Sequence, residues 1–187
     1  MNTKSRVAGV FIGLAVGDAL GVPLEKMDIG SFDFVSEMLG GGPYDLPPGA
    51  WTDETATALC LAQSLLVTHE LNVYDLAERF KRWVEIGENS STGVCVGIEQ
   101  KLLNFVGNFE RTGGFDPSSL NQKARGNSVL ARVGPIACIH WDDLSTASKI
   151  AQQQSYLTHS SEIVASASEY LVLALSHLIA GRDWNYV

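Results

Sequence analysis

The sequence predicts an all-α fold, a compact helical bundle, and three observations predict it. Apolar residues recur at helical spacing through the long segments. Those segments are bounded by the Ser, Asn, Gly and Pro residues that start and stop helices. No series of alternating strands and no internal repeat is visible. With 187 residues, 45% hydrophobic and 18% charged, the chain is long enough for one substantial core and short for two. Residues 1–187 are therefore expected to form a single domain.

The first helix is expected over 5–20, capped by Ser5 and stopped by Gly21 and Pro23. Gly9, Gly13 and Gly17 lie four apart on one face. Each costs about 1 kcal/mol relative to alanine, so the stripe predicts a neighbouring helix packed backbone-close and a central place for this helix. Asp18 and Glu25 fall around its C-terminal end, where the helix dipole disfavours a carboxylate unless a polar partner compensates. Residues 28–50 are irregular, broken by Gly40-Gly-Gly-Pro43 and Pro47-Pro-Gly49. A loop of that length in a compact domain points to function.

Residues 54–69 are apolar on most sides and read as a buried helix. Asn72 caps an amphipathic helix over 73–86 with Leu76, Phe80, Trp83 and Val84 on its apolar face. The polar cluster 88–93 leads to a helix expected over 94–106, followed by a loop over 107–126 that contains Asp116-Pro117. Residues 129–139 are apolar and fit helix or strand, interrupted at Gly134-Pro135. Ser145 caps a helix to 154, and Ser160 caps a long one over 161–180 that closes at Gly181.

A net charge of −8 argues against nucleic acid and against an anionic membrane surface as partners. Cys60, Cys95 and Cys138 are far apart in apolar surroundings and read as small hydrophobes. The apolar run 7–22 carries Asp18 and is followed by Pro23 and Glu25, which weakens a signal-peptide reading. The expected location is the cytoplasm.

Thr52, Asp53 and Glu54 supply hard oxygen ligands of the type magnesium and manganese prefer, at a loop-to-helix junction. The local alternative is that Asp53 caps the helix and Glu54 is a first-turn acid. Gly126-Asn127-Ser128 follows a loop and fits either a phosphate or ribose cradle or an ordinary helix start. Thr158-His159-Ser160 reads first as a cap with a partly buried histidine. Ser128 and His159 with a carboxylate can be drawn as a hydrolase triad, but no nucleophile-elbow glycine pattern surrounds either Ser128 or Ser160.

In order, Gly13-Leu-Ala-Val-Gly-Asp-Ala-Leu-Gly-Val-Pro-Leu-Glu25, Trp51-Thr-Asp-Glu-Thr55, Gly126-Asn-Ser-Val-Leu-Ala-Arg132 and Leu157-Thr-His159 resemble the ADP-ribosylglycohydrolase family, which includes the dinitrogenase reductase-activating glycohydrolase. The resemblance implies an all-α fold of that type and a metal-dependent hydrolase that cleaves the glycosidic bond between ADP-ribose and a protein side chain or related acceptor. It implies two magnesium or manganese ions held through Thr52, Asp53 and Glu54, with Glu25 and Asp53 as catalytic residues, Glu25 orienting or deprotonating the attacking group. Gly126, Asn127, Ser128 and His159 would line the ADP-ribose site. The partner would be an ADP-ribosylated protein or an ADP-ribose-containing small molecule.

The chain departs from the family pattern at Glu54, where a second aspartate is usual, and at Ser128, where a second glycine is usual. The family's Asp-x-Asp-Thr metal segment also lies beyond Val187, so the resemblance implies a domain truncated at its C-terminus. Three readings follow: a hydrolase, an ADP-ribose-binding module with little or no turnover, and a structural or interaction protein on the same fold. A shortened fold further predicts apolar faces on the first helix and on 171–179 that are covered by self-association or by a partner chain.

Overall fold

A computed structural model describes residues 2–115 and 126–186. Its elements are α1 (Thr3–Gly21), α2 (Asp53–Thr68), α3 (Val73–Ile86), α4 (Gln100–Thr112), α5 (Val133–His140), α6 (Leu144–Ser155) and α7 (Glu162–Ile179). Short 3-10 turns occupy Val22–Leu24, Gly42–Tyr44 and Ser128–Leu130. Among the described residues the only β pairing is an isolated antiparallel bridge between Gly41 and Leu46. The all-α expectation holds.

The core is built on α2. Its Ala56, Cys60, Leu61 and Leu65 are buried against Leu76, Phe80 and Trp83 of α3 and against Val133, Ile136 and Ala137 of α5. Phe105 of α4 meets Phe80 edge to face, with ring centroids 6.3 Å apart. Helix α7 packs mainly on α6 and α5, which places Val172 and Ile179 in the same cluster. Leu171, Leu173 and Leu175 are half-buried against that core, so residues 171–179 are largely covered within the chain.

Caps explain most boundaries. Asn2, one turn earlier than Ser5, caps α1 by accepting from the Ser5 N–H at 2.9 Å. Asn72 accepts from the Asp75 N–H at 3.0 Å, as the sequence predicts, and α3 closes on Gly87 in the left-handed region at φ 68°. Asp143, not Ser145, caps α6 by accepting from the Thr146 N–H at 3.1 Å. Pro135 lies in the first turn of α5, where its missing N–H costs no helical bond, so residues 133–140 are helix.

Two expectations are corrected. The helix placed over 94–106 instead runs from Gln100 to Thr112. Gly93 and Gly97 both take φ 78°, which keeps 93–99 irregular, and Glu99 stands at the N-cap. Residues 107–112 are correspondingly helix, and Asp116-Pro117 lies outside the described residues. The second correction concerns α1, whose only buried residue is Ala19. A Cβ added at Gly9, Gly13, Gly17 or Gly21 would meet nothing within 4 Å. The glycine face looks into open space, and α1 lies against α2, α5 and α7 by its other side. Of the cysteines, Cys60 is buried, while Cys95 and Cys138 are half-buried; all three are free thiols.

Candidate active site

The loop ending at Thr52 is fixed from two sides. On one, the Trp51 N–H donates to Ser91 Oγ at 3.1 Å, Ser91 Oγ donates to the Trp51 carbonyl at 2.8 Å, and the Trp51 indole donates to the Asn89 carbonyl at 3.0 Å. On the other side stands Asp18, in the last turn of α1. Its Oδ2 accepts from the Thr55 N–H at 3.0 Å and the Thr55 hydroxyl at 2.7 Å. Both its oxygens also accept from the Thr52 N–H, at 3.0 and 3.1 Å. Asp18 therefore caps α2 from another helix, and the N-terminal dipole of α2 compensates an acid that opposes the dipole of α1. Thr52 is the N-cap by position but makes no side-chain cap bond of its own.

The Thr52 hydroxyl lies 2.7 Å from Asp18 Oδ1 and 2.7 Å from Glu54 Oε2. One hydroxyl proton cannot serve two carboxylates, so the corner is short of positive charge. Asp53 shows the same deficit. Burial, with the charge and hydrogen bond of Glu54, pushes its carboxyl up to about 9. The Asp53 carboxylate turns towards Gly97, where an added Cβ would overlap Oδ1 at 2.4 Å. A side chain at position 97 would thus displace Asp53.

Glu25 follows the turn Val22–Leu24 and accepts from the Tyr44 hydroxyl at 2.9 Å. Burial and this carboxylate hold Tyr44 up at about 12, so it remains a donor across the neutral range. Glu25, Asp18, Thr52 and Glu54 line one cavity of about 480 Å³, whose other wall includes Gly13 and Gly17. The glycine stripe therefore forms a cavity wall where a backbone-close helix is expected from sequence. Asp53 does not line this cavity.

Three of the four residues assigned to ADP-ribose, Gly126, Ser128 and His159, lie around Glu99. Ser128 Oγ donates to Glu99 Oε2, and Lys101 Nζ donates to Glu99 Oε1 at 2.6 Å. Lys101 Nζ also lies 3.0 Å from His159 Nε2. An ammonium has no acceptor, so Nε2 accepts and Nδ1 carries the proton towards Thr158 Oγ1 at 2.9 Å. Thr158 accepts in turn from the buried Arg132 at 3.0 Å. His159 is fully buried, more than the sequence reading allows. A Cβ at Gly126 would meet Lys101 Nζ at 2.7 Å and His159 Nε2 at 2.9 Å, so this glycine makes room for the pair. Asn127 is exposed beside it. The donors Lys101 and Ser128 hold the Glu99 carboxyl below the ordinary carboxylate range, against the effect of its burial.

The segment Gly97 to Glu99 joins the two groups, since Gly97 touches Asp53 and Glu99 holds Ser128. Four residues of this arrangement are missing from the sequence-derived site: Asp18, Tyr44, Glu99 and Lys101. Asp18 carries a signal, as an acid at a helix end that needs a partner. Glu99 and Lys101 carry none in a stretch that reads as mid-helix.

Thr52, Asp53 and Glu54 suit a hard cation by donor type and by their shortage of positive charge. Among the described residues no group of three or more His, Cys, Asp or Glu converges to hold one.

An all-helical fold with an acidic helix-end corner beside a glycine-lined cavity matches a known class. The ADP-ribosylglycohydrolase family model covers residues 1–186, and the chain belongs to that family. It is 32% identical to the ADP-ribosylarginine hydrolase Tri1 of Serratia proteamaculans (strain 568), over 97% of this chain and 50% of that protein. It is 29% identical to the ADP-ribosyl-[dinitrogen reductase] glycohydrolase of Rhodospirillum rubrum, over 97% of this chain and 60% of that one. A solved structure of an ADP-ribosylglycohydrolase-related protein complex superposes with a TM-score of 0.82 at 32% identity, covering 99% of this chain and 60% of its own. The chain spans about half to three-fifths of the length of these proteins.

Proposed function

We propose that the protein hydrolyses the glycosidic bond between ADP-ribose and an acceptor, with an arginine side chain as the acceptor to test first. The observation that carries this reading is the convergence of Glu25, Thr52, Glu54 and Asp18 on one cavity in a chain of this family. Relatives named for hydrolysis of ADP-ribosylarginine and of ADP-ribosylated dinitrogen reductase support the substrate class.

Glu25 is the group suited to accept a proton from an attacking water, because it is half-buried, lines the cavity and is oriented by Tyr44. Asp18 positions rather than reacts, since its oxygens are spent on Thr52 and Thr55. Thr52, Asp53 and Glu54 would hold magnesium or manganese, with further ligands from outside this set. When bound, the metal would supply charge stabilisation and acidify water. The Gly126–Ser128 turn, with Asn127 exposed, would meet the ADP-ribose. The uncovered face of α1, with Ile12 62% exposed, is the surface on which self-association or a partner chain would act.

A binding module with little turnover is the second reading. It is favoured by Glu54, whose longer side chain reaches back to the Thr52 hydroxyl and occupies a ligand of the proposed metal shell. Calorimetric titration with ADP-ribose, with and without magnesium or manganese, beside an assay on ADP-ribosylated arginine, separates the two. Metal-dependent release of ADP-ribose is expected. Binding without release selects the module, and no binding defeats both readings.

A further inference from the structure

Resting on the ADP-ribose reading, we propose that Glu99 is the specificity-determining carboxylate of the site and receives the two hydroxyls of a ribose vicinal diol.

A carboxylate offers about two accepting positions on each oxygen. Lys101 takes one on Oε1 and Ser128 takes one on Oε2. His159 Nε2, 3.7 Å from Oε1, is beyond hydrogen-bond distance and is itself an acceptor towards Lys101. Among the described residues, one accepting position therefore remains on each oxygen. Two adjacent acceptors held in one plane match two adjacent donors, and a ribose cis-diol supplies them. Acidic side chains read ribose hydroxyls in the same way in other nucleotide-binding folds.

The side chain is 27% exposed, so a ligand can reach it, and its donors leave it little freedom to turn away. Its place fits as well. Glu99 adjoins the exposed Gly126 and Asn127 through Ser128, and it lies two residues from Gly97, which touches Asp53. Lys101 offsets the charge that would otherwise repel the pyrophosphate of the same ligand. Glutamine at 99 would keep the length and one accepting oxygen but replace the other with a donor, which opposes a hydroxyl donor.

The test is the binding of ADP-ribose and of its two analogues that lack the 2′-hydroxyl on one ribose or the other, to the wild-type chain and to Glu99→Gln, with circular dichroism to check folding. Wild type is expected to prefer ADP-ribose over one analogue by about tenfold or more, the size of losing a hydrogen bond to a charged group. Glu99→Gln is expected to lose that preference while still binding the analogue. Equal binding of all three ligands by wild type, or an unchanged preference in folded Glu99→Gln, overturns this inference and leaves the ADP-ribose reading standing. A wild-type chain that binds none of the three overturns both.

Discussion

Asp18 Oδ2 accepts two hydrogen bonds from Thr55, one from its backbone N–H at 3.0 Å and one from its hydroxyl at 2.7 Å. With the Thr52 bonds, this joins the end of α1 to the start of α2 and makes Asp18 the cap of a helix it does not belong to. In Asp18→Asn one oxygen becomes a donor facing donors. Removing a negative charge beside Asp53 and Glu54 acts in the other direction, but the lost cap bonds outweigh it because they are short and part-buried. Urea denaturation is expected to show a loss of about 2–3 kcal/mol. An unchanged midpoint would show that α2 is capped by other means.

Asp53, two residues before Thr55, is expected to behave oppositely. Its folded pKa of about 9 lies above the ordinary 3.8, so the folded chain binds this proton more tightly than the unfolded chain does. The stabilisation is complete below about pH 4 and is lost as pH rises through about 9. Asp53→Asn removes the titration. The variant is expected to be roughly 1–3 kcal/mol more stable than wild type at pH 8 without added metal, a common size for relieving a strained functional site, and indistinguishable from it near pH 4. Parallel stability profiles across this range would refute the placement of Asp53.

How far the sequence reveals this molecule depends on the range of the interaction involved. Helix α3 is legible to the residue because Asn72 acts within one turn of the start it defines and Leu76, Phe80, Trp83 and Val84 keep a helical period to its end. Residues 94–99 are misread because Val94, Val96 and Ile98 have apolar character, whereas the irregular path is set by positive φ at Gly93 and Gly97, and Gly97 is required by contact with Asp53, 44 positions earlier. The glycine stripe of α1 is ambiguous in principle, since close packing and an open cavity wall both call for a missing side chain. Motif resemblance identifies Glu25, Thr52 and Gly126 as a set. It leaves out Glu99, whose bond to Ser128 spans 29 positions, and Tyr44, which reaches Glu25 from a separate loop turn.

The stripe can be decided by substitution. A methyl at Gly13 meets nothing within 4 Å, while one at Gly134 would come within 2.8 Å of Val10 Cγ1. Gly13→Ala is therefore expected to stabilise the monomer by about 0.5–1 kcal/mol through helix propensity alone. Gly134→Ala gains the same propensity but is offset by the clash. If a second copy covers the α1 face, light scattering will show association at higher concentration, and Gly13→Ala will weaken it. A destabilised Gly13→Ala monomer would return the stripe to close packing within the chain.

Tyr44 offers the most direct test of Glu25 as the reacting carboxylate. Its hydroxyl donates at 2.9 Å and stays protonated across the neutral range, so it orients Glu25 without exchanging protons itself. Tyr44→Phe removes that donor and keeps the ring. Losing one such bond predicts a fall in kcat of about 3–10-fold with KM little changed, because the bond orients a catalytic group and does not touch the ligand. A rise in KM with kcat unchanged would place Tyr44 and Glu25 in substrate binding rather than in the proton transfer.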